Sequence, residues 1–234
     1  MNIIITGAGK GIGKALAEKF ATQANHIFIC ARNENELANT AREIKEKNNE
    51  AHIQYFAADL SKKISADKFS GWLAGQNITP DILINNAGHF IPGSIYNEEE
   101  GTLEKMIAIN LYSAYYVTRA LLPSMMKKKA GHIFNMCSIA SLAAYSNGGS
   151  YSISKHALMG FSKNLREELK PYNIKVTTVY PGAVYTSSWE GTGIEPARIM
   201  EVNDIAEMIY AASSLSPQAC VEDIIIRPLA GDLP

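Results

Sequence analysis

An open, doubly wound α/β fold with a seven-stranded parallel sheet is what the sequence predicts, and three observations predict it. Short apolar runs alternate with helical stretches from the first residues almost to the last, the pattern of parallel strands linked by crossover helices. A glycine-rich segment lies between the first apolar run and the first helical stretch. Further polar or glycine turns (Asp59, Asn85 to Gly88, Ser138, Pro181-Gly182) fall at the ends of later apolar runs. Ligands of such sheets bind beyond the carboxyl ends of the strands, so these scattered residues are expected to share one edge.

The elements follow in order. Ile3-Ile4-Ile5 is a buried strand, and Thr6 to Gly13 turns it into a helix over 14–22. A second strand covers 26–30, and Asn33 can cap a polar helix reaching about 47. The third strand, 53–57, ends at Asp59-Leu60, with a helix over 61–75 after it. The fourth, 81–84, runs into Asn85-Asn86-Ala87-Gly88. A long helix is expected over 98–128, apolar on more than one face, which calls for cover on both sides. Strand five, 133–137, leads straight to Ser138, and a helix from Tyr151 to about 170 is stopped by Pro171. Strand six covers 174–179. The stretch 183–200 has no period and holds Gly191, Gly193 and Pro196, the composition of a mobile lid. A helix over 204–213 and a strand over 221–226 complete the chain, read as one domain over 1–234.

Bulk properties exclude several classes of function. With 22 basic and 23 acidic residues the net charge is -1, which leaves no electrostatic footprint for nucleic acid or an anionic membrane. Cys30, Cys137 and Cys220 are too few and too far apart for a disulfide framework or a zinc site, and they fit a reducing cytosol. The five histidines do not cluster as metal ligands. The N-terminus reads as a strand rather than a signal peptide, and no apolar run reaches membrane-spanning length. The expectation is a cytoplasmic protein without metal.

The chemistry starts with glycines. Gly7, Gly11 and Gly13 are spaced G-x-x-x-G-x-G between a strand and a helix, where small residues let the backbone approach a pyrophosphate at a helix N-terminus; a tight turn is the plainer reading. At the end of the second strand, where a carboxylate would hold the ribose 2′-hydroxyl of NAD, stands Ala31, eighteen residues after Gly13. Arg32 follows it, and Lys10 lies in the glycine turn, so two cations are available to pair with the 2′-phosphate of NADP(H). Tyr151 and Lys155, four apart, lie one helical turn from each other. A nearby ammonium and a helix N-terminus both favour phenolate, so the Tyr151 pKa is expected to fall from about 10 towards neutrality. In isolation such a pair is more often a solvated helix face.

Together these motifs resemble the short-chain dehydrogenase/reductase family across essentially the full chain. The resemblance implies a tetrad of Asn110, Ser138, Tyr151 and Lys155. Tyr151 would be the proton donor, Ser138 the donor to the substrate oxygen, Lys155 the partner of Tyr151 and of the ribose, and Asn110 the anchor of a proton-carrying water. Without the other three, Asn110 would read as a satisfied core amide. The implied cofactor contacts are Gly7, Gly9, Lys10, Gly11, Ile12 and Gly13 in the first turn, and Arg32 after the second strand. Asp59 with Leu60 would face the adenine, Asn85, Ala87 and Gly88 the adenosine side. Pro181, Gly182, Val184 and Thr186 would face the nicotinamide, beside Tyr151 and Lys155. The implied activity is NADPH-dependent reduction of a small ketone or aldehyde, in a homodimer or homotetramer. Alternatives are a 3-oxoacyl-thioester reductase, a sepiapterin-type reductase, or a non-catalytic NADP(H) sensor. Tyr145, Tyr185 and Trp189 read either as pocket walls or as packing, and Phe90 and Ile139 face the same region.

Overall fold

The computed structural model describes residues 1–21, 25–189, 191 and 193–233. Its strands are β1 (Asn2–Thr6), β2 (His26–Ala31), β3 (His52–Ala57), β4 (Ile82–Asn85), β5 (Gly131–Met136), β6 (Ile174–Pro181) and β7 (Asp223–Ile226). They form one seven-stranded parallel sheet in the order β3-β2-β1-β4-β5-β6-β7, as the alternation of apolar and helical stretches predicts. The helices are α1 (Gly11–Phe20), α2 (Glu34–Lys47), α3 (Lys63–Gly75), α4 (Thr102–Ile107), α5 (Ser113–Lys128), α6 (Gly149–Leu169) and α7 (Val202–Ser213).

Side-chain alternation along the strands divides the core into two layers. Ile3, Ile5, Ile27, Ile29, Ile82 and Ile84 point to one face, where α1, α2 and α7 cover them through Leu16, Leu37 and Ile209. Ile4, Phe28, Leu83, Ile133 and Val176 point to the other, against Phe69 of α3, Val117 and Leu121 of α5, and Leu165 of α6. Strands buried on both faces are the reason the runs read as continuously apolar. The strand order reverses between β1 and β4, so a crevice opens beyond their carboxyl ends.

Local signals set most boundaries. Asn33 caps α2 by accepting from the Asn35 and Glu36 amides, with acids in the first turn and lysines in the last. The helix expected over 98–128 departs from the sequence reading at both its start and its middle. It begins at Thr102, because Gly101 takes a left-handed conformation at φ 85° and breaks the run. A π-turn over Ala108–Tyr112 then interrupts it around the buried Asn110 before α5 resumes. The stretch 183–200 is not structureless, since it holds short 3₁₀ turns at Ser187–Trp189 and Pro196–Arg198. A parallel bridge between Val184 and Met200 pins its base. Positions 190 and 192 of the expected lid, and 22 of the expected first helix, lie outside the described residues.

Candidate active site

The glycine turn after β1 is built for close approach. Gly7 and Gly11 adopt positive φ of 66° and 56°. A Cβ on Gly13 would stand 2.6 Å from Asn86 Nδ2, so no side chain fits there. Asn86 holds the turn by donating to the carbonyls of Thr6 and Gly7 at 3.1 and 3.0 Å. Thr6 Oγ1 accepts in return from the Asn86 and Ala87 amides at 3.1 and 3.0 Å. The first strand and the 85–88 turn are thereby joined. The N-terminus of α1 has no side-chain cap and no acid in its first turn, so its amides and its dipole are left for an anion. Ile12 is half-buried beside this turn.

Four side chains meet below it. Ser138 Oγ accepts from the Ala140 amide at 3.2 Å, which leaves its proton to donate, and it hydrogen-bonds the Tyr151 phenol. Lys155 is buried and donates to the Met136 carbonyl at 2.7 Å, with its Nζ 5.8 Å from the Tyr151 ring centre. Its Nζ also lies 3.4 Å from where a Cβ on Gly88 would stand, and Asn110 Oδ1 lies 3.2 Å from the same point, so both side chains border that glycine. Asn110, fully buried in the π-turn, accepts from the His89 amide at 2.7 Å and donates to the His89 carbonyl at 3.0 Å and to Ser154 Oγ at 2.9 Å. The Phe90 ring meets the Tyr151 ring edge-on, with centres 4.8 Å apart.

Several expectations are corrected by this geometry. Burial pushes the Tyr151 phenol up to about 12, not down; the Ser138 hydrogen bond opposes the rise but is outweighed. Lys155 does not draw the phenol down, because its ammonium is turned to the Met136 carbonyl, and burial lowers its own pKa to about 8. The Asn85 side chain faces the core rather than the crevice, donating to Thr118 Oγ1 at 2.9 Å and Asn135 Oδ1 at 2.8 Å. Asn135 passes the chain on to Ser162 at 2.9 Å, a polar ladder beneath the site. The Asn110 side chain also ties the 88–89 turn to α6 through its bonds to His89 and Ser154. Lys10 is exposed beside an acidic neighbour. It lies 3.6 Å from Glu36, whose carboxylate reaches back to within 3.0 Å of the Gly9 Cβ position.

The remaining expected positions ring the same edge. Asp59 Oδ1 accepts from the amide and hydroxyl of Ser61 at 3.2 and 2.7 Å, and Leu60 is buried behind it. Arg32 is exposed at the end of β2. The His89 imidazole is depressed, first by burial and then by Arg32, Lys105 and Lys10, which marks a cationic rim there. Gly182 donates to the Ile226 carbonyl at 2.8 Å, after Pro181 closes β6. Thr186 folds over the glycine turn, its Cγ2 3.3 Å from a Cβ built on Gly11, and Val184 is buried beside it. Thr6 and Asn86 were missed by sequence reasoning, although Asn86 stands inside a turn that was singled out. No group of three or more His, Cys, Asp or Glu among the described residues could hold a metal.

The profile of the short chain dehydrogenase family matches residues 1–195. Sepiapterin reductase of Chlorobaculum tepidum is 30% identical over 99% of this chain and 97% of its own length. An uncharacterized oxidoreductase of Staphylococcus epidermidis is 30% identical over 97% of this chain and 96% of its own. Among solved structures, a metagenomic short-chain oxidoreductase in complex with NADP superposes with a TM-score of 0.82 at 29% identity, covering 97% of this chain and 96% of that one.

Proposed function

The chain belongs to the short-chain dehydrogenase family, and from that premise we propose that it reduces a small ketone or aldehyde with NADPH. The observation that carries this reading is the meeting of Ser138, Tyr151 and Lys155 directly below an uncapped, glycine-lined helix N-terminus. The glycine turn fits a dinucleotide, since its Cβ positions are blocked and the α1 amides face the crevice. Gly7 to Gly13 would cradle the pyrophosphate and Arg32 would meet the 2′-phosphate. Asp59 would take the adenine side, and Lys155 the ribose of the nicotinamide. When bound, NADPH supplies the hydride.

The chain's own groups supply the rest. A phenol with a pKa pushed up to about 12 is fully protonated at neutral pH, the state a proton donor to a carbonyl oxygen needs. Ser138, its acceptor side occupied by Ala140, donates a second hydrogen bond to the same oxygen as charge develops on it. Phe90, Tyr145 and the aromatic residues of the 183–200 lid would supply apolar contact, favouring compact apolar or aromatic carbonyl compounds. A pteridine side-chain carbonyl is a specific member of that class, and the likeness to sepiapterin reductase supports it as a second reading. Purified protein is to be screened for NADPH oxidation against pteridines, quinones, diketones and ketoacyl thioesters. Turnover confined to aromatic or apolar members is expected, and no turnover with any carbonyl would overturn the reading.

A further inference from the structure

Helix α6, which carries Tyr151 and Lys155, has no N-terminal cap of its own. Its N-cap residue is Gly148, which offers no side-chain hydrogen bond. An uncapped first turn frays readily, and here that turn holds Ser150 and Tyr151. The missing acceptor comes from far away in the chain. Glu98, in the segment leading into α4, accepts from the Ser150 amide at 2.7 Å through one oxygen, and from the Ser150 hydroxyl through the other. We propose that Glu98 is a positioning residue for the reaction, holding the first turn of α6 so that the Tyr151 phenol stays aligned with Ser138. The proposal rests on the reading of Tyr151 as the proton donor.

The surroundings are shaped to admit that carboxylate. A Cβ on Gly149 would collide with Glu98 Oε1, and Gly149 has a positive φ of 31°. A Cβ on Gly93 would lie 2.8 Å from Glu98 Cγ. The same segment is fastened to the loop before α6 a second time. The Gly93 amide donates to the Asn147 carbonyl at 3.1 Å, and Ser94 Oγ donates to Asn147 Oδ1 at 2.9 Å.

The three alternate serines around Tyr151 each tie α6 to a different element. Ser150 goes to Glu98. Ser152 Oγ donates at 2.9 Å to the carbonyl of Ala140, in the turn that holds Ser138. Ser154 accepts from Asn110 and donates to the Tyr151 carbonyl at 2.7 Å. Two of the three ties lead back to expected members of the tetrad. The Glu98 tie is the one on the N-terminal side of Tyr151, where the helix otherwise ends. A carboxylate there also suits the positive end of the helix dipole.

The test compares wild type, Tyr151→Phe, Glu98→Ala, Glu98→Gln and Ser150→Ala for kcat, for KM with the best carbonyl substrate, for NADPH Kd, and for melting temperature. Glu98→Ala is expected to lower kcat at least tenfold while NADPH Kd changes less than twofold. Glu98→Gln keeps the length and one acceptor oxygen for the Ser150 amide, so it should recover to within about threefold of wild type. Ser150→Ala, a smaller change that protects the test against a failure of Glu98→Ala to fold, should lower kcat severalfold. The proposal is overturned if the Glu98 and Ser150 variants turn over like wild type per folded molecule. It is equally overturned if Glu98→Ala loses NADPH affinity and melting temperature with no fall in kcat. Tyr151→Phe separates the two ideas: full activity in that variant removes the proton-donor reading itself, whereas an inactive Tyr151→Phe beside an unchanged Glu98→Ala removes this inference alone.

Discussion

At the scale of single residues, burial decides the electrostatics. The phenol and the ammonium of α6 are taken out of water together, and each is driven towards its neutral form. The free protein therefore holds a protonated Tyr151 over the whole neutral range, whereas Lys155 loses its charge as pH rises through about 8. If Lys155 grips the cofactor, kcat/KM for NADPH, which reports the free enzyme, should be flat below pH 8 and decline above it. A profile level up to about pH 10, the ordinary lysine range, would remove Lys155 from that role. Glu36 gives a second residue-scale expectation. Its carboxylate lies 3.6 Å from Lys10 and faces the proposed 2′-phosphate side, so it both occupies a cation and repels the anion. Glu36→Gln should strengthen NADPH binding severalfold and leave NADH nearly unchanged. Arg32→Ala should weaken NADPH selectively, by about 1–3 kcal/mol if the contact is charge-assisted. Equal effects on both cofactors would show that neither residue reads the phosphate.

At the scale of elements, glycine placement separates function from accident. Gly13 has Asn86 Nδ2 at 2.6 Å and the Ala8 backbone at 2.8 Å from its Cβ position, so Gly13→Ala must push the β1 turn off the β4 turn. Gly71, exposed within α3, has nothing near it. There Gly71→Ala should raise stability by roughly 0.5–1 kcal/mol in urea unfolding, the helix-propensity difference, while Gly13→Ala should abolish tight NADPH binding. A harmless Gly13→Ala would contradict the close-approach account. The same contrast explains what the sequence could disclose. Strands buried on both faces and the Asn33 cap were legible because each leaves a local pattern. The partners of Asn110 in the π-turn and the inward turn of Asn85 were not, because both are set by residues far along the chain, and the break at Gly101 lies in a backbone angle that a glycine permits but does not dictate. The glycine turn, Asp59, the 85–88 turn, Ser138 and Pro181-Gly182 were legible as strand-end positions, and Tyr151 with Lys155 as a pair one helical turn apart. Their protonation was not, since burial is a tertiary property.

For the whole molecule, exposed apolar side chains on α6 and on the run into α5 bear on assembly. Tyr112 is 42% exposed on the run into α5, and Ile153 is 41% exposed on α6. Tyr112 meets Tyr116 in a tilted pair, while Tyr115 packs on Phe161 of α6 and accepts from Arg119 at 2.9 Å. Helix α5 packs on the sheet and on α3 through Val117 and Leu121 and on α6 through Tyr115, and a second copy is expected to cover the aromatic side chains left exposed. Light scattering at micromolar concentration should give a dimer or tetramer, and Tyr112→Glu should shift it towards monomer. A stable wild-type monomer would reject this assembly. No helix among the described residues is long and apolar enough to cross a membrane.

Whether the Tyr151 phenol delivers the proton is decided by Tyr151→Phe. The substitution keeps the ring that packs against Phe90 and removes only the hydroxyl. NADPH affinity should stay within about twofold of wild type, while carbonyl reduction falls by about two to four orders of magnitude, the usual contribution of a positioned acid. Turnover comparable to wild type, with the same substrate and cofactor, would contradict the account.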